Sequence, residues 1–462
     1  MTSNAKTVAM TEGPLLGVLI RVALPITFTN LCQSTYDIIN AFWLGHLGQD
    51  AIAAVAASGP LFFVLVSLSS GLSTAGAVLI AQNAGAKRRD VLDHVTAQTL
   101  LMVIALAVAF ALFGILSAPL QLQLVGVEPN VARLADGYLS VRYVGMIPMF
   151  TIMAMQAMLQ AVGEVRFAMW VLIGSIILNA ALDPVLIFGV GPVPVLGVRG
   201  AAAATVIAQI AALLVIFHHL LTGKSALHLR VHNFRPDFAQ IKLAIGLGVP
   251  ASIEQAIRTF SSLLLMSLAA SFGTIGLASY GVGTRLMFFW FAPTMGLGVA
   301  AATVVGQNIG AGRPDRAKAA VRTAAWLGFG ALTLIGLAHI PFVPQIMSSL
   351  APGEPDVIRN ASSFAYVFLP FLGVVAVTQA FLGAFRGAGN TRQSMTLSIM
   401  QQWLFQLPIA WGLALATPVG INGIWWCYPL GNGATALLCL VWYKYGRWRR
   451  NLVQMEASHG RS

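Results

Sequence analysis

Long apolar runs, separated by short polar or glycine-rich stretches, fill this chain from end to end. Runs such as 100–120 and 326–343 have the length that an α-helix needs to cross a bilayer. Turn residues and charges divide the chain into about twelve such segments, which predicts an all-α integral membrane fold. The expected spans are 15–43, 51–82, 91–118, 131–162, 166–190, 197–222, 238–271, 274–310, 316–350, 357–388, 392–417 and 420–446.

The composition supports a membrane protein and narrows its function. Of the 462 residues, 57% are hydrophobic and 9% are charged, whereas soluble domains carry about 25% charged residues. The eight histidines show no metal-ligand spacing, and the three cysteines lie in apolar segments, which argues against a disulfide framework or a metal cluster. The sequence contains no nucleophile motif and no phosphate-binding glycine loop. We therefore expect neither an enzyme nor a bound cofactor.

The net charge of +12 is distributed over alternate loops. The loops between the basic clusters are poor in lysine and arginine, which is the positive-inside pattern. Both termini are therefore predicted to be cytoplasmic, in a cytoplasmic (inner) membrane. The basic excess indicates membrane orientation and contact with anionic lipid, and no nucleic-acid partner is expected. The basic clusters are 87–89, 166, 224–242, 313–322, 386–392 and 444–450.

The two halves of the chain repeat each other. Pro25 corresponds to Pro250, and the Gln-Asn-Ala-Gly-Ala sequence from Gln82 corresponds to Gln-Asn-Ile-Gly-Ala from Gln307, with the same spacing between the members of each pair. Such a repeat of about six helices keeps its orientation in the membrane, so it predicts two lobes with a substrate cleft between them. The expected division is an N-lobe (1–222, helices 1–6), a cytoplasmic linker (223–237), a C-lobe (238–446, helices 7–12) and a cytoplasmic tail (447–462).

The first apolar segment carries a polar stripe. Asn30, Gln33, Ser34 and Asp37 recur at steps of three and four and therefore share one helix face. An ionised carboxylate that faces lipid is unfavourable, so Asp37 is expected to face protein or a water-filled cavity. We predict a proton or cation site at Asp37. The alternative is a structural acid held by hydrogen bonds inside the bundle.

A second acid lies in the fifth segment. Asn179 and Asp183 are four residues apart on one helix face, and Pro184 frees a backbone carbonyl nearby. Two carboxylates that lie close together in a low dielectric can share a proton or hold a cation, so Asp183 is predicted to act with Asp37. The alternative is that Asp183 bonds only its own helix.

A third acid, Glu254, precedes Arg258 by four residues, the favourable order for a helix ion pair. A neutralised internal pair and a role in coupling both remain open. The residues predicted to line the substrate cleft are Tyr36, Asn40, Met153, Gln156, Glu254 and Arg258.

These motifs resemble those of the multidrug and toxic compound extrusion (MATE) transporters, of the kind related to the DinF branch. The matching sequences are the two proline openings, Tyr36-Asp37, Leu-Gly-His-Leu-Gly at 44–48, the two Gln-Asn-x-Gly-Ala motifs and Asn179 to Gly189. The resemblance implies twelve helices in two six-helix lobes and export of organic cations in exchange for H⁺ or Na⁺.

The resemblance also implies site residues. It places the N-lobe cation or proton site on Asp37, Asn179 and Asp183, with Thr205 on the sixth helix as a further candidate and Gln33 orienting the acids. Some members carry another acid in the tenth helix, but the tenth segment here, 357–386, contains no Asp or Glu. This departure shifts the expected ion site to the N-lobe.

The sequence therefore predicts a monomeric secondary antiporter that exports a small organic cation by alternating access, with H⁺ or Na⁺ as the coupling ion. The alternative is a flippase for a lipid-linked or amphipathic anionic substrate. A cation exporter requires acids in its cleft, whereas a flippase should line the cleft with basic residues. Arg142, Arg258 and Arg285 keep this second hypothesis open.

Overall fold

The computed structural model describes residues 10–446, 448–449 and 451–453, apart from the side chains at positions 37, 38, 41, 60, 61 and 125. The regular secondary structure of these residues is entirely helical. The α-helices are α1 (Leu15–Gly45), α2 (Gln49–Ala57), α3 (Gly59–Gly85), α4 (Arg89–Val125), α5 (Pro129–Val144), α6 (Met146–Val162), α7 (Val165–Phe188), α8 (Val198–Leu221), α9 (Phe238–Ala270), α10 (Gly273–Gly310), α11 (Pro314–His339), α12 (Val343–Leu350), α13 (Pro355–Phe368), α14 (Leu372–Gly387), α15 (Thr391–Ile399), α16 (Leu407–Ala416) and α17 (Asn422–Tyr445).

Each of the twelve predicted segments coincides with one helix or with consecutive helices. Nine helical stretches within the described residues are long and apolar enough to cross a membrane, and α5 with α6, bent by 43°, makes a tenth. The seventh segment, α9, is helical over 33 residues but carries a polar face that lowers its hydropathy. The eleventh segment is divided by a π-helical stretch, Met400–Gln406, which leaves two short α-helices.

The helix ends follow from local sequence. Pro129, Pro314 and Pro355 stand at the start of α5, α11 and α13, where a missing backbone N–H breaks no helical hydrogen bond. Gly126 and Gly163 end α4 and α6 with positive φ angles of 71° and 94°, a conformation that favours glycine.

The described helices pack into two compact units. Unit 1 comprises Phe28–Ile80 and Arg88–Ser252, and unit 2 comprises 10–27, 81–87 and 253–453. The units do not follow the sequence division at three places, because α1, α3 and α9 each contribute residues to both. The lobe boundaries expected from the sequence therefore stay a prediction.

The points where α1 and α9 change units follow the sequence repeat. The helix α1 leaves unit 2 after Thr27, and α9 leaves unit 1 after Ser252, which is the position equivalent to Thr27 in the second half. In unit 1, Gly71 of α3 lies against Ser252; in unit 2, Gly296 of α10 lies against Thr27. The two glycines are also equivalent positions of the two halves, so the repeat preserves contacts as well as sequence.

The repeated Gln-Asn-x-Gly-Ala motifs form a second pair of matching contacts, this time inside unit 2. Gly85 lies against the backbone carbonyl of Gln307, and Gly310 lies against the backbone carbonyl of Gln82. A Cβ at either glycine would collide with the opposing backbone. Each motif therefore requires its glycine so that α3 and α10 can approach closely.

The linker between the repeats is bonded to unit 1. The Glu164 carboxylate accepts a hydrogen bond from the backbone N–H of Ala226 at 2.6 Å, and Asp93 accepts one from the N–H of His228 at 2.9 Å. A 3₁₀ turn, Val231–Phe234, follows these contacts. The predicted linker therefore has defined structure and contributes to the unit.

Asp237 ends the linker and caps α9. Burial alone would raise the pKa of Asp237, but hydrogen bonds from His94 and from the backbone N–H groups of Gln240 and Ala239 outweigh burial and lower it. The His94 Nε2 atom lies 3.0 Å from Asp237 Oδ2. A lowered pKa stabilises the fold above the ordinary carboxyl pKa, and this contribution is lost as pH falls through the lowered value.

The motif glycines give a test of this packing. Gly85→Ala and Gly310→Ala should each lower the thermal unfolding midpoint in detergent, because overpacking costs about 1–3 kcal/mol. Gly330→Ala in α11, where a Cβ meets no atom within 4 Å, is the matched control and should be neutral or stabilising by roughly 0.5–1 kcal/mol. Equal midpoints for all three variants would contradict the close contact.

Candidate functional site

Asp183 is a buried acid of unit 1, near the end of α7. Its side chain is fully buried, with 0% relative exposure, and it directly precedes Pro184 inside the helix. Because proline has no backbone N–H, the carbonyl of Ala180 lacks its usual helical partner. A buried carboxyl and a freed backbone carbonyl are thus placed within one turn of α7.

Asn179 lies one turn before Asp183 and is fixed by the neighbouring helix α8. Its Nδ2 atom donates to Thr205 Oγ1 at 3.1 Å, while the Thr205 hydroxyl donates to the backbone carbonyl of Ala201 at 3.1 Å. The amide nitrogen is therefore committed to Thr205. The amide oxygen of Asn179 is buried and accepts no hydrogen bond.

Two contacts hold α7 against α8 on either side of the acid. Towards the helix end, Gly200 of α8 lies against the backbone carbonyl of Leu186, which leaves no room for a Cβ. Two turns before Asp183, the Ser175 hydroxyl donates to the carbonyl of Ala208 at 3.1 Å. The position of Asn179 and Asp183 is therefore set by backbone contacts on both sides.

The helix α1 completes the site from the other side. Leu44 of α1 and Ile187 of α7 belong to one buried apolar cluster. Two turns before Leu44, the buried Tyr36 hydroxyl lies near the Asp183 carboxyl. The contact is loose, because neither Asp183 oxygen has a hydrogen-bond partner of good geometry.

The result is a buried group of oxygen acceptors without matching donors. Both oxygens of Asp183 and the amide oxygen of Asn179 are enclosed and accept no well-formed hydrogen bond; Asn40, one turn after Tyr36 on α1, also has an enclosed amide oxygen that accepts none. Unsatisfied buried acceptors are unfavourable, and a proton or a hard cation would satisfy them. This arrangement can hold a proton or bind a small cation.

The remaining predicted unit 1 residues are less enclosed. Gln33 is exposed, and Met153 is half-buried on α6. Gln156, also on α6, is half-buried with its Nε2 atom enclosed and unbonded. Residue 37 lies in α1, directly after Tyr36, but the Asp37 side chain is outside the described part of the structure. The predicted pairing of Asp37 with Asp183 stays a prediction.

Glu254 and Arg258 belong to unit 2 and form a separate cluster. Arg258 Nη2 donates to Glu254 Oε1 at 2.9 Å, as the spacing on α9 predicts. The hydroxyls of Ser394 and Ser398, both on α15, donate to the same carboxylate at 2.8 and 3.1 Å. Arg386 at the end of α14 lies 3.7 Å from Glu254 Oε1. Glu254 is therefore fully hydrogen-bonded, in contrast to Asp183.

Apart from Arg258, the partners of Glu254 could not be identified from the sequence. Arg386 belongs to a basic cluster that the charge pattern assigns to a cytoplasmic loop. Ser394 and Ser398 lie 140 and 144 residues from Glu254 along the chain. No local pattern signals such distant contacts. The i,i+4 spacing of Ser394 and Ser398 on one helix face was the available hint, and alone it indicates only a polar stripe.

The helical fold and the sequence repeat together define a multi-pass, all-helical membrane protein with two repeated halves. The MatE family model matches residues 25–185 and 250–412, once in each half, so the chain belongs to the MatE family. This confirms the family resemblance predicted from the motifs.

Relatives and solved structures agree with this assignment. "Probable multidrug resistance protein YoeA" of Bacillus subtilis is 31% identical over 93% of both chains. "Multidrug resistance protein NorM" of Burkholderia vietnamiensis is 28% identical over 90% of this chain and 91% of that protein. The crystal structure of a MATE protein in complex with MaL6 superposes with a TM-score of 0.90 at 22% identity, covering 96% of this chain and 98% of the other.

The Asn179–Thr205 contact can be tested by stability. Thr205→Val removes the acceptor of the Asn179 amide nitrogen and should destabilise the protein by about 1 kcal/mol, measured by thermal unfolding in detergent. Thr205→Ser keeps the hydroxyl and is the control that should retain most of the stability. If both variants unfold at the same temperature, the hydroxyl does not support Asn179.

Proposed function

We propose that this chain exports small organic cations from the cell in exchange for protons, by alternating access between its two halves. The observation that carries the proposal is the buried, donor-poor group of oxygens around Asp183 in unit 1. Membership of the MatE family and the names of its relatives support multidrug efflux as the biological role. The chain acts in the inner membrane with both termini in the cytoplasm, as a monomer and without a cofactor.

The coupling mechanism follows from the unsatisfied acceptor oxygens around Asp183. With Asp183 protonated, the carboxyl is neutral and can donate a hydrogen bond to a neighbouring oxygen. With Asp183 ionised, the same oxygens favour a cation. A proton and a cationic substrate therefore exclude each other at this site, which is the condition for exchange. Asn179, fixed by Thr205, orients the acceptor oxygens in both states.

The energy available is sufficient for useful export. One pH unit supplies about 1.4 kcal/mol per proton, which supports roughly tenfold accumulation of a monovalent cation. If Asp37 carries a second proton, one net charge enters per cycle. A membrane potential of about 100 mV then adds about 2.3 kcal/mol. Na⁺ is the alternative coupling ion, because hard cations also prefer oxygen ligands.

The second candidate function is translocation of an amphipathic anionic substrate. The guanidinium of Arg142 lies 4.2 Å from the centre of the Phe62 ring within unit 1, so part of its surface is engaged by that ring. The observation that favours this second function is the excess of positive charge around Glu254 in unit 2.

The exchange mechanism makes Asp183 essential. Asp183→Asn keeps the size of the side chain but removes its titration, so proteoliposomes containing this variant should fail to accumulate ethidium in response to an imposed pH gradient. Wild-type accumulation should rise roughly tenfold per pH unit. Asp136→Asn, at an exposed acid on α5, is the matched control and should transport normally. Accumulation by Asp183→Asn at the wild-type level would refute the role of this acid.

A parallel measurement with a Na⁺ gradient and no pH gradient identifies the coupling ion. The proposal expects ethidium accumulation with the pH gradient and none with the Na⁺ gradient alone. Accumulation with the Na⁺ gradient alone would replace the proton by Na⁺ at the same oxygens.

A further inference from the structure

The charges around Glu254 in unit 2 do not balance. One carboxylate on α9 lies near two guanidinium groups: Arg258 at 2.9 Å and Arg386 at 3.7 Å. Glu254 attracts the Arg258 guanidinium, and Arg386 repels it. The hydroxyls of Ser394 and Ser398 add hydrogen bonds to the carboxylate but no charge. The cluster therefore carries one net positive charge.

The two arginines are the less enclosed members of the cluster. The Glu254 side chain is only 3% exposed, whereas those of Arg258 and Arg386 keep 19% and 25% of their surface open. The arginine side chains are therefore the more open part of the cluster, and the carboxylate is the enclosed part.

One donor of the cluster is also left unused. The Nε–H of Arg258 is enclosed by protein and makes no hydrogen bond, although the Nη2 atom of the same guanidinium bonds Glu254. A buried donor without an acceptor is unfavourable, and so is an uncompensated charge in a low dielectric. An oxyanion at the open part of the two arginine side chains would compensate the charge, because a guanidinium presents several donors that match carboxylate and phosphate oxygens.

We propose that Arg258 and Arg386 form a binding site for an anionic group, a phosphate or carboxylate, with Glu254 holding the two arginines in position. The inference extends the proposed transport function, since it adds a substrate class: molecules that carry an oxyanion, either alone or beside a cationic group. The same chemistry is present in a free phosphorylated molecule and in an anionic lipid headgroup.

The simpler explanation is that both arginines only neutralise Glu254. The two explanations predict opposite effects of removing Arg386. In Arg386→Gln the pair Glu254–Arg258 remains, with both serine hydrogen bonds, and the cluster becomes neutral. An anion site predicts unchanged or raised thermal stability for this variant without ligand. A counter-ion role predicts destabilisation comparable to that of Glu254→Gln, which leaves two arginines unpaired.

Binding of two flavins tests the site directly. Flavin mononucleotide and riboflavin share the ring system and differ by one phosphate group, so the ratio of their dissociation constants reports the phosphate contact. In phospholipid-free detergent, wild-type protein should bind flavin mononucleotide about tenfold or more tightly than riboflavin, measured by quenching of flavin fluorescence. Arg386→Gln should reduce this ratio to near one. Arg392→Gln, which removes an exposed arginine six residues further on, should retain it.

A second measurement, with phospholipids, distinguishes a lipid headgroup from a free molecule as the source of the anion. Phosphatidylglycerol should raise the unfolding midpoint of wild-type protein above that with phosphatidylcholine, and Arg386→Gln should lose the difference, if a lipid headgroup is the ligand. If instead the ratio of the two flavin dissociation constants depends on Arg386, the ligand of the site is a free molecule. The proposal is overturned if neither probe depends on Arg386, or if Arg386→Gln is as unstable as Glu254→Gln.

This binding test is independent of transport coupling. Asp183→Asn should keep the flavin ratio of the wild type, because Asp183 belongs to unit 1 and is outside the arginine cluster. Loss of ethidium export with an intact flavin ratio, or the reverse, therefore shows which of the two proposals has failed.

Discussion

The structure depends on one constraint: a polar group in an apolar surrounding must be satisfied by the protein or by a ligand. The two units meet this constraint differently for their buried acids. Glu254 is satisfied entirely by protein groups, from two serines and two arginines. Asp183 has only a loose contact with Tyr36. This difference in hydrogen bonding is the basis for proposing Asp183 as the acid that binds ions and Glu254 as a residue that positions the arginines.

The sequence repeat accounts for the helix packing of the two halves but not for their acidic residues. Gly85 and Gly310 are equivalent positions and make equivalent contacts, so both halves use the same close packing. The acids do not recur. In the same alignment of the two halves, Glu254 corresponds to Thr29, and Asp37 to Ser262. Two halves with equivalent helix packing therefore carry two different polar centres, one rich in acceptor oxygens and one with excess positive charge.

Much of the fold was predictable because bilayer-spanning helices require long apolar runs, and such runs are visible in a single sequence. The repeat was visible for a similar reason, since Gly85 and Gly310 admit no other residue without backbone movement. Asn179 and Asp183 share a helix face by spacing alone, whereas Thr205 was implied by family resemblance. The contacts of Glu254 with Arg386, Ser394 and Ser398, and the bonding of the linker to unit 1, were not predictable, because they join residues that are distant in sequence.

The central claim is that Asp183 exchanges its proton for a cationic substrate. The most direct measurement is the number of protons released when ethidium binds to protein in weakly buffered detergent solution, followed with a pH indicator. The account predicts proton release by the wild type and a smaller release by Asp183→Asn, while Asp136→Asn behaves as the wild type. An equal number of protons released by the wild type and by Asp183→Asn would contradict it.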